Sequence, residues 1–294
     1  MKSFVPFLAI LSFVSLPGIA WAFEPMFDTP LSYWTGSWPS SVCTGDLNGD
    51  GCSDLVVAND NSDNISVLFG DGNGTFAPAA DYATGGNPKS VCCADLDGDK
   101  NLDIMTANFD SNNISVLMNN GDGTFTDAVN YSAGVMADGV GTYSVCSGDL
   151  DGDGDMDLAA TSILSNDISI FINKDDGTFA AAVIYEAGNH SRSICRGDFD
   201  GDGDTDLAVV NEYSNDVSVF LGEGDGTFAG AVNCYSCYPV GISCGDPNGD
   251  GIEDLVVTNW TVDDITIFAG NGDGTFAAAT THASRESRIA TGST

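Results

Sequence analysis

Hydrophobic residues in this chain come in short runs bounded by turn residues. Leu55-Val-Val-Ala58 is apolar on both faces, as suits a strand covered on both sides. Ile65-Ser-Val-Leu-Phe69 alternates Ile and Val with Ser. A first strand-like segment, Ser41 to Thr44, lies ahead of them. A fourth begins after Gly74-Thr75-Phe76, where Asp and Gly favour a tight hairpin. Helical spacing fails throughout the repeats, because Gly and Asp clusters interrupt every window. The four-segment pattern then returns. Units span 27–75, 76–124, 125–178, 179–227 and 228–275, and a truncated sixth starts at Phe276.

One four-stranded sheet cannot bury both of its faces alone, so the repetition implies stacking of like units. Four strands per roughly 49 residues predict an all-β propeller of about five four-stranded antiparallel blades. An open arc of the same units is the alternative. A calcium-binding parallel β-helix fits the spacing less well, since its repeat is only about nine residues.

Between the first and second segments of every unit lies an Asp-rich loop, starting at Asp46, Asp95, Asp149, Asp198 and Asp246. Oxygens at positions 1, 3, 5 and 9, with a backbone carbonyl at 7, can converge on one hard cation, and Ca²⁺ takes six to eight such ligands. The candidate ligands are Asp46, Asn48, Asp50, Cys52 and Asp54; Asp95, Asp97, Asp99, Asn101 and Asp103; Asp149, Asp151, Asp153, Asp155 and Asp157; Asp198, Asp200, Asp202, Asp204 and Asp206; and Asp246, Asn248, Asp250, Ile252 and Asp254. Up to five Ca²⁺ are expected. Position 6 is Gly51, Gly154, Gly203 and Gly251, but Lys100 in the second loop, whose Cβ disfavours positive φ, so that site is expected to be the weakest. Position 12 carries no acid in any loop, which excludes an EF-hand. Without a cation, such carboxylate clusters repel one another.

The run Asp-x-Asp/Asn-Gly-Asp-Gly-x-x-Asp-Leu, then Ile-Ser-Val-Leu and Gly-Asp-Gly-Thr-Phe, resembles the FG-GAP/VCBS repeat of integrin α-type propellers and secreted lectin-like proteins. The resemblance covers about residues 27–276. It implies that the cation loops line one face and that linkers and second-to-third-strand loops line the other. Family members commonly close with seven blades, so closure of five does not follow. The expected clasp is the N-terminal segment Phe27 to Tyr33 pairing with the last blade, because it keeps Tyr33, Gly36 and Pro39. On the linker face the expected ligand-binding residues are Trp38, Tyr143, His190, Tyr213, Tyr238 and Trp260, with Trp34, Phe109, Arg192 and Tyr235 nearby. The third unit adds residues around Val135 to Thr142 on that face.

Composition narrows the function. A net charge of −35 argues against nucleic acid and anionic membranes as partners. Residues 1–22 read as a signal peptide: Lys2, an apolar stretch from Phe4 to Leu16, then Ala20-Trp-Ala22. The expected location is therefore secreted, periplasmic or on the cell surface, with 23–282 as the propeller and 283–294 as a polar tail. Nine cysteines leave at least one without an intrachain partner. Cys43, Cys92, Cys146 and Cys195 hold one repeated position, read as apolar packing because equivalent points on neighbouring blades lie too far apart to bridge. Cys234 and Cys237 are the expected local pair. No nucleophile–base motif stands out, so a non-enzymatic binding or adhesion module for extracellular glycan or protein is expected. A structural surface protein without small ligand is the alternative, and a polysaccharide-active enzyme the third reading.

Overall fold

The computed structural model describes residues 31–134 and 141–283. The leader, residues 27–30 of the expected clasp, part of the third-unit elaboration and the tail beyond Ala283 lie outside the described residues. From Tyr33 onward the chain forms one compact unit.

Twenty strands make five four-stranded antiparallel sheets, each built from consecutive strands. In the first blade β1 to β4 are Pro39–Gly45, Asp54–Asn59, Asn64–Leu68 and Ala80–Ala83. In the second β5 to β8 are Pro88–Ala94, Asp103–Asn108, Asn113–Leu117 and Val129–Ser132. In the third β9 to β12 are Thr142–Gly148, Asp157–Ser162, Asp167–Phe171 and Val183–Glu186. In the fourth β13 to β16 are Ser191–Gly197, Asp206–Asn211, Asp216–Phe220 and Val232–Tyr235. In the fifth β17 to β20 are Pro239–Gly245, Asp254–Asn259, Asp264–Phe268 and Thr280–Ala283. One 3-10 turn, Asp60–Ser62, is the helical content of the described residues.

Side-chain alternation decides what each strand face touches. One face of a blade meets the back of the next, giving four apolar cores between successive blades. Between the first and second lie Val56, Ile65 and Val67 against Val91, Ile104 and Leu117. Between the fourth and fifth lie Val210, Val217 and Val219 against Leu255, Val257 and Phe268. The buried serine of each Ile-Ser-Val run is satisfied within its own sheet: Asn108 Nδ2 donates to Ser115 Oγ (2.8 Å), which donates to Asn130 Oδ1 (2.6 Å). Gly85 approaches this network so closely that a Cβ there would sit 2.5 Å from Asn113 Oδ1, which explains the recurring linker glycine.

Among the described residues, no comparable interface joins the fifth blade back to the first. Val42 on β1 is 60% exposed, whereas its counterparts Val91 and Val145 are 5% exposed. At the other end Val256, Ile265 and Ile267 are only half-buried and Thr258 is exposed. The five blades form an open arc with four interfaces.

Two expectations need correction. The outer strand of the last blade is its own β20, with Ile267 opposite Thr280 and Ile265 opposite His282. The hairpin that follows β19 delivers that strand with little loop-closure cost, although the segment lacks the Gly and Pro that follow Tyr33 in the N-terminal one. Tyr33 instead stacks edge-on against Phe76 of the first blade, its hydroxyl accepting from the Phe76 N–H at 3.1 Å. The second correction concerns the cysteines. Cys195 and Cys244 form a disulfide between the fourth and fifth blades, with Cα atoms 6.1 Å apart, while Cys234 and Cys237 are free. Equivalent positions on neighbouring inner strands point the same way and do not meet. The partner is one residue further along, where alternation turns the side chain back toward the preceding blade.

Candidate functional site

The Asp loops sit between inner and second strands, as expected, and their acids divide the work. Position 1 folds the loop: Asp46 Oδ1 accepts from the Gly49 and Asp50 N–H groups, and Oδ2 from Gly51 N–H at 2.8 Å. Position 9 is buried and ties the loop to the outer hairpin. Asp54 accepts from Leu47 N–H and Gly70 N–H, both at 2.8 Å. Asp103, Asp157 and Asp206 repeat this bracket. Burial pushes each of these three up to about 6, against the pull of the two backbone donors.

Carboxylate oxygens converge in three of the five loops. Asp95, Asp97 and Asp99 form one group; Asp149, Asp151 and Asp157 a second; Asp198, Asp200 and Asp206 a third; within each the oxygens lie within 4.8 Å of one another. Asp95 Oδ1 is buried with no hydrogen-bond partner, an orphaned acceptor of the kind a bound cation satisfies. The donor set is all oxygen, which fits Ca²⁺. Loops one and five carry Asn48 and Asn248 at position 3, and no three acids converge there among the described residues. The Asn248 amide donates to Asp254 Oδ2 at 3.0 Å. Lys100 takes the left-handed turn regardless (φ +74°), and its N–H reaches Asp95 Oδ2 at 2.9 Å, as Gly51 does for Asp46.

A fourth group joins Asp153 and Asp155 to Asp175 of the outer hairpin in the third blade. The Asp155 carboxyl is held above its usual range, chiefly by its hydrogen bond with Asp175. The sequence reading missed Asp175, although Lys174-Asp175 breaks the Gly-rich hairpin of the other units.

The opposite edge holds the linkers, and backbone irregularity shapes it. Every inner strand has a register shift near its start; in blades one, two, four and five it skips Ser40, Lys89, Arg192 and Val240, and in the third it skips Tyr143. Such bulges re-aim side chains. Tyr143 and Arg192 thus belong to inner strands, not to linkers as expected. The residue before the bulged strand is left-handed in four blades: Trp38 (φ 59°), Asn87 (62°), His190 (67°) and Tyr238 (51°). Each carbonyl accepts an N–H from the end of the second strand, from Asp60, Phe109, Glu212 and Trp260 respectively.

Three blades contribute to one cluster here. Arg192 lies over the Tyr143 ring at 5.2 Å and the Trp260 ring at 5.7 Å. Its guanidinium donates to Glu212 Oε2 at 2.7 Å and to the Tyr143 hydroxyl at 3.3 Å. Burial opposes its charge, but the Glu212 bond and Tyr143 raise its pKa further. His190 stacks on Tyr213 at 4.0 Å between centroids, and burial lowers its pKa despite Glu212 at 3.6 Å. Trp260 and Tyr213 stay 64% and 56% exposed. Tyr238 adjoins through its backbone bond to Trp260, whereas Trp38 lies on the first blade, outside the cluster. Glu212 was missed in the sequence; so was the Lys89–Asp60 ion pair at 2.5 Å. Rarity was the available signal, because the chain has only eight Lys and Arg.

The profile of the FG-GAP-like repeat matches residues 46–106, 95–160, 158–209 and 198–240. The chain belongs to the FG-GAP-like repeat family. No curated protein matches it. Among solved structures, this FG-GAP-like chain resembles an Agrocybe aegerita lectin that recognises non-reducing terminal N-acetylglucosamine (20% identity, TM-score 0.56, covering 82% of this chain and 66% of the lectin). It also resembles a proposed 6-phosphogluconolactonase from Bacteroides fragilis (19% identity, TM-score 0.61, 83% and 70% covered). A virginiamycin B lyase from Staphylococcus aureus aligns at 14% identity and TM-score 0.51, with 84% of both chains covered. The chain thus spans about two-thirds of the lectin's length. At these identities the likeness concerns fold alone, and it includes both binding proteins and enzymes. Among the described residues no helix is long and apolar enough to cross a membrane.

Proposed function

We propose that this FG-GAP-like arc is an exported, Ca²⁺-loaded binding module whose linker edge takes a glycan. One observation carries the reading. Large side chains stand at left-handed backbone positions along that edge, where Asn87 shows the residue type that costs least. A bulky residue there costs on the order of 1–2 kcal/mol, and such strain concentrates at functional sites. Beside those positions Trp260 and Tyr213 offer open ring faces, with His190, Glu212 and Arg192 as polar neighbours. Arg192 is already paired with Glu212, so the cluster is close to neutral and suits an uncharged sugar that stacks on an aromatic face. The lectin relative supports the glycan class.

Ca²⁺ belongs to the other edge. Asp95, Asp97 and Asp99, Asp149, Asp151 and Asp157, and Asp198, Asp200 and Asp206 would hold it, and the ion would cancel carboxylate repulsion. Asp153, Asp155 and Asp175 offer a further position. Export rests on residues 1–22, and extracellular Ca²⁺ then requires only modest affinity. A glycan array probed with and without chelator tests the binding role. Specific hits that vanish in Trp260→Ala and Tyr213→Ala protein, both with unchanged melting temperature, are expected. Hits that survive both substitutions would place the binding surface elsewhere, and a blank array would favour a structural role.

A further inference from the structure

We infer that the chain carries a second inter-blade cross-link, Cys43–Cys93, which the register of the Cys195–Cys244 disulfide specifies. Counting back from the first Asp of each loop, Cys195 stands three residues before Asp198 and Cys244 two residues before Asp246. Cys43 stands three before Asp46 and Cys93 two before Asp95. The residue at minus three faces forward: Cys43 packs in the core between blades one and two, Cys92 between two and three, Cys146 between three and four, and Cys195 between four and five. The residue at minus two faces back, as Cys93 and Cys244 do in those same first and last cores. The two sulfurs of Cys43 and Cys93 lie 2.7 Å apart, close to the ~2.05 Å of a formed bond. At the inner interfaces the rule yields no pair, because Cys92 faces Ser147 and Cys146 faces Arg196.

The placement has a physical reason. A terminal blade of an open arc is packed on one face only, so it is the blade most prone to open locally. Both terminal interfaces carry the matched pair, and the two inner ones do not.

Bond formation needs an oxidant, here a protein or glutathione disulfide. One cysteine thiolate attacks that disulfide and expels a thiolate. The second cysteine thiolate then attacks the protein sulfur of the mixed disulfide and expels the other. Both cysteine protons end on the two released thiols, so Cys43 and Cys93 are oxidised and the donor is reduced. In the folded blades Cys93 is a poor nucleophile, its pKa raised by the Cys43 contact and by burial. The step therefore belongs to the interval before the first blade seats on the second.

The test uses full-length protein refolded from the fully reduced state in a glutathione disulfide buffer. Free thiols are blocked under denaturation, and unreduced peptides are sequenced by mass spectrometry. The expected result is five blockable thiols of the nine and a Cys43–Cys93 peptide that disappears on reduction. Cys92→Ser protein keeps that peptide and Cys93→Ser loses it. Recovery of Cys43 and Cys93 both alkylated overturns the inference. A Cys43 link that survives Cys93→Ser but not Cys92→Ser overturns the register rule.

Discussion

Lys100 separates two contributions that a calcium loop ordinarily mixes. The residue sits at φ +74°, where the other loops place glycine, and its N–H already bonds Asp95 Oδ2. The strain therefore belongs to the backbone turn that this hydrogen bond holds, and not to the lysine charge. Replacing Lys100 by Gly should relieve about 1 kcal/mol of that strain, raising the melting temperature by about 2–4 °C for a domain of this size. Calcium affinity responds to a different property. A lysine charge roughly 9 Å from a divalent ion in water repels it by about 1 kcal/mol, and physiological salt screens this to a few tenths. Lys100→Ala keeps the strain and removes the charge, so it should tighten the second site about two- to five-fold without raising the melt. Lys100→Gly should do both, and Lys100→Arg neither. Calorimetric titration and thermal melts on the three proteins separate the effects. If Lys100→Ala and Lys100→Gly melt alike, the strain argument fails. If neither tightens any site at low salt, Lys100 does not face a cation.

Three further outcomes follow from the same geometry. Asp103, Asp157 and Asp206 are raised in the fold to about 6, so their contribution is full below the unfolded value near 4 and is lost as pH climbs through 6. Melts in excess EDTA should fall between pH 4 and pH 7 and melts in Ca²⁺ should rise; a chelated protein that gains stability over that range would contradict the bracket chemistry. Val42→Ala should change stability by less than about 0.5 kcal/mol, whereas Val91→Ala should cost about 1.6 kcal/mol for its two buried methyl groups; equal losses in urea unfolding would mean that the arc closes. Breaking Cys195–Cys244, whose residues are 49 apart, should cost about 4 kcal/mol by denatured-state entropy, read from guanidinium melts of the Cys195→Ala/Cys244→Ala protein; a change under 1 kcal/mol would remove that account.

The blades were legible because every level of the sequence agreed. Leu55-Val-Val-Ala58, the Ile-Ser-Val runs and the Gly-Thr-Phe hairpins each demand a strand or a turn locally, and the repeat demands stacking. The loops were legible for a similar reason, since one carboxylate spacing recurs five times. What escaped depends on contacts across blades. No local preference tells that Tyr143 and Arg192 bulge out of their strands, because the inner strand reads as regular until its partner is placed. Asp175 joins the third loop only once the outer hairpin folds over it. The disulfide was misjudged because like positions were compared with like, whereas strand alternation makes adjacent positions the ones that face each other.

Openness gives the two edges of the arc different mechanical roles. In a closed ring, five mutually braced blades would hold the linker edge rigid whatever happened at the loops. Here the position 9 aspartates are what link each loop to the outer hairpin of its own blade, and Asn119 and Asn173 carry the loop carbonyls of Leu47 and Leu96 into the next blade at 2.8 and 2.7 Å. Order in a loop is thus passed to the interface beside it. The aromatic cluster spans blades three, four and five, and at these two interfaces the loop carbonyls of Leu150 and Phe199 accept instead from the Gly226 and Gly274 N–H groups of the next blade, both at 3.0 Å. Ca²⁺ bound at the third and fourth loops would therefore stiffen a binding edge that it never touches. Chelation should then weaken ligand binding through Trp260 even where the fold survives, and substitution at Asp200 should weaken it more than substitution at Asp50.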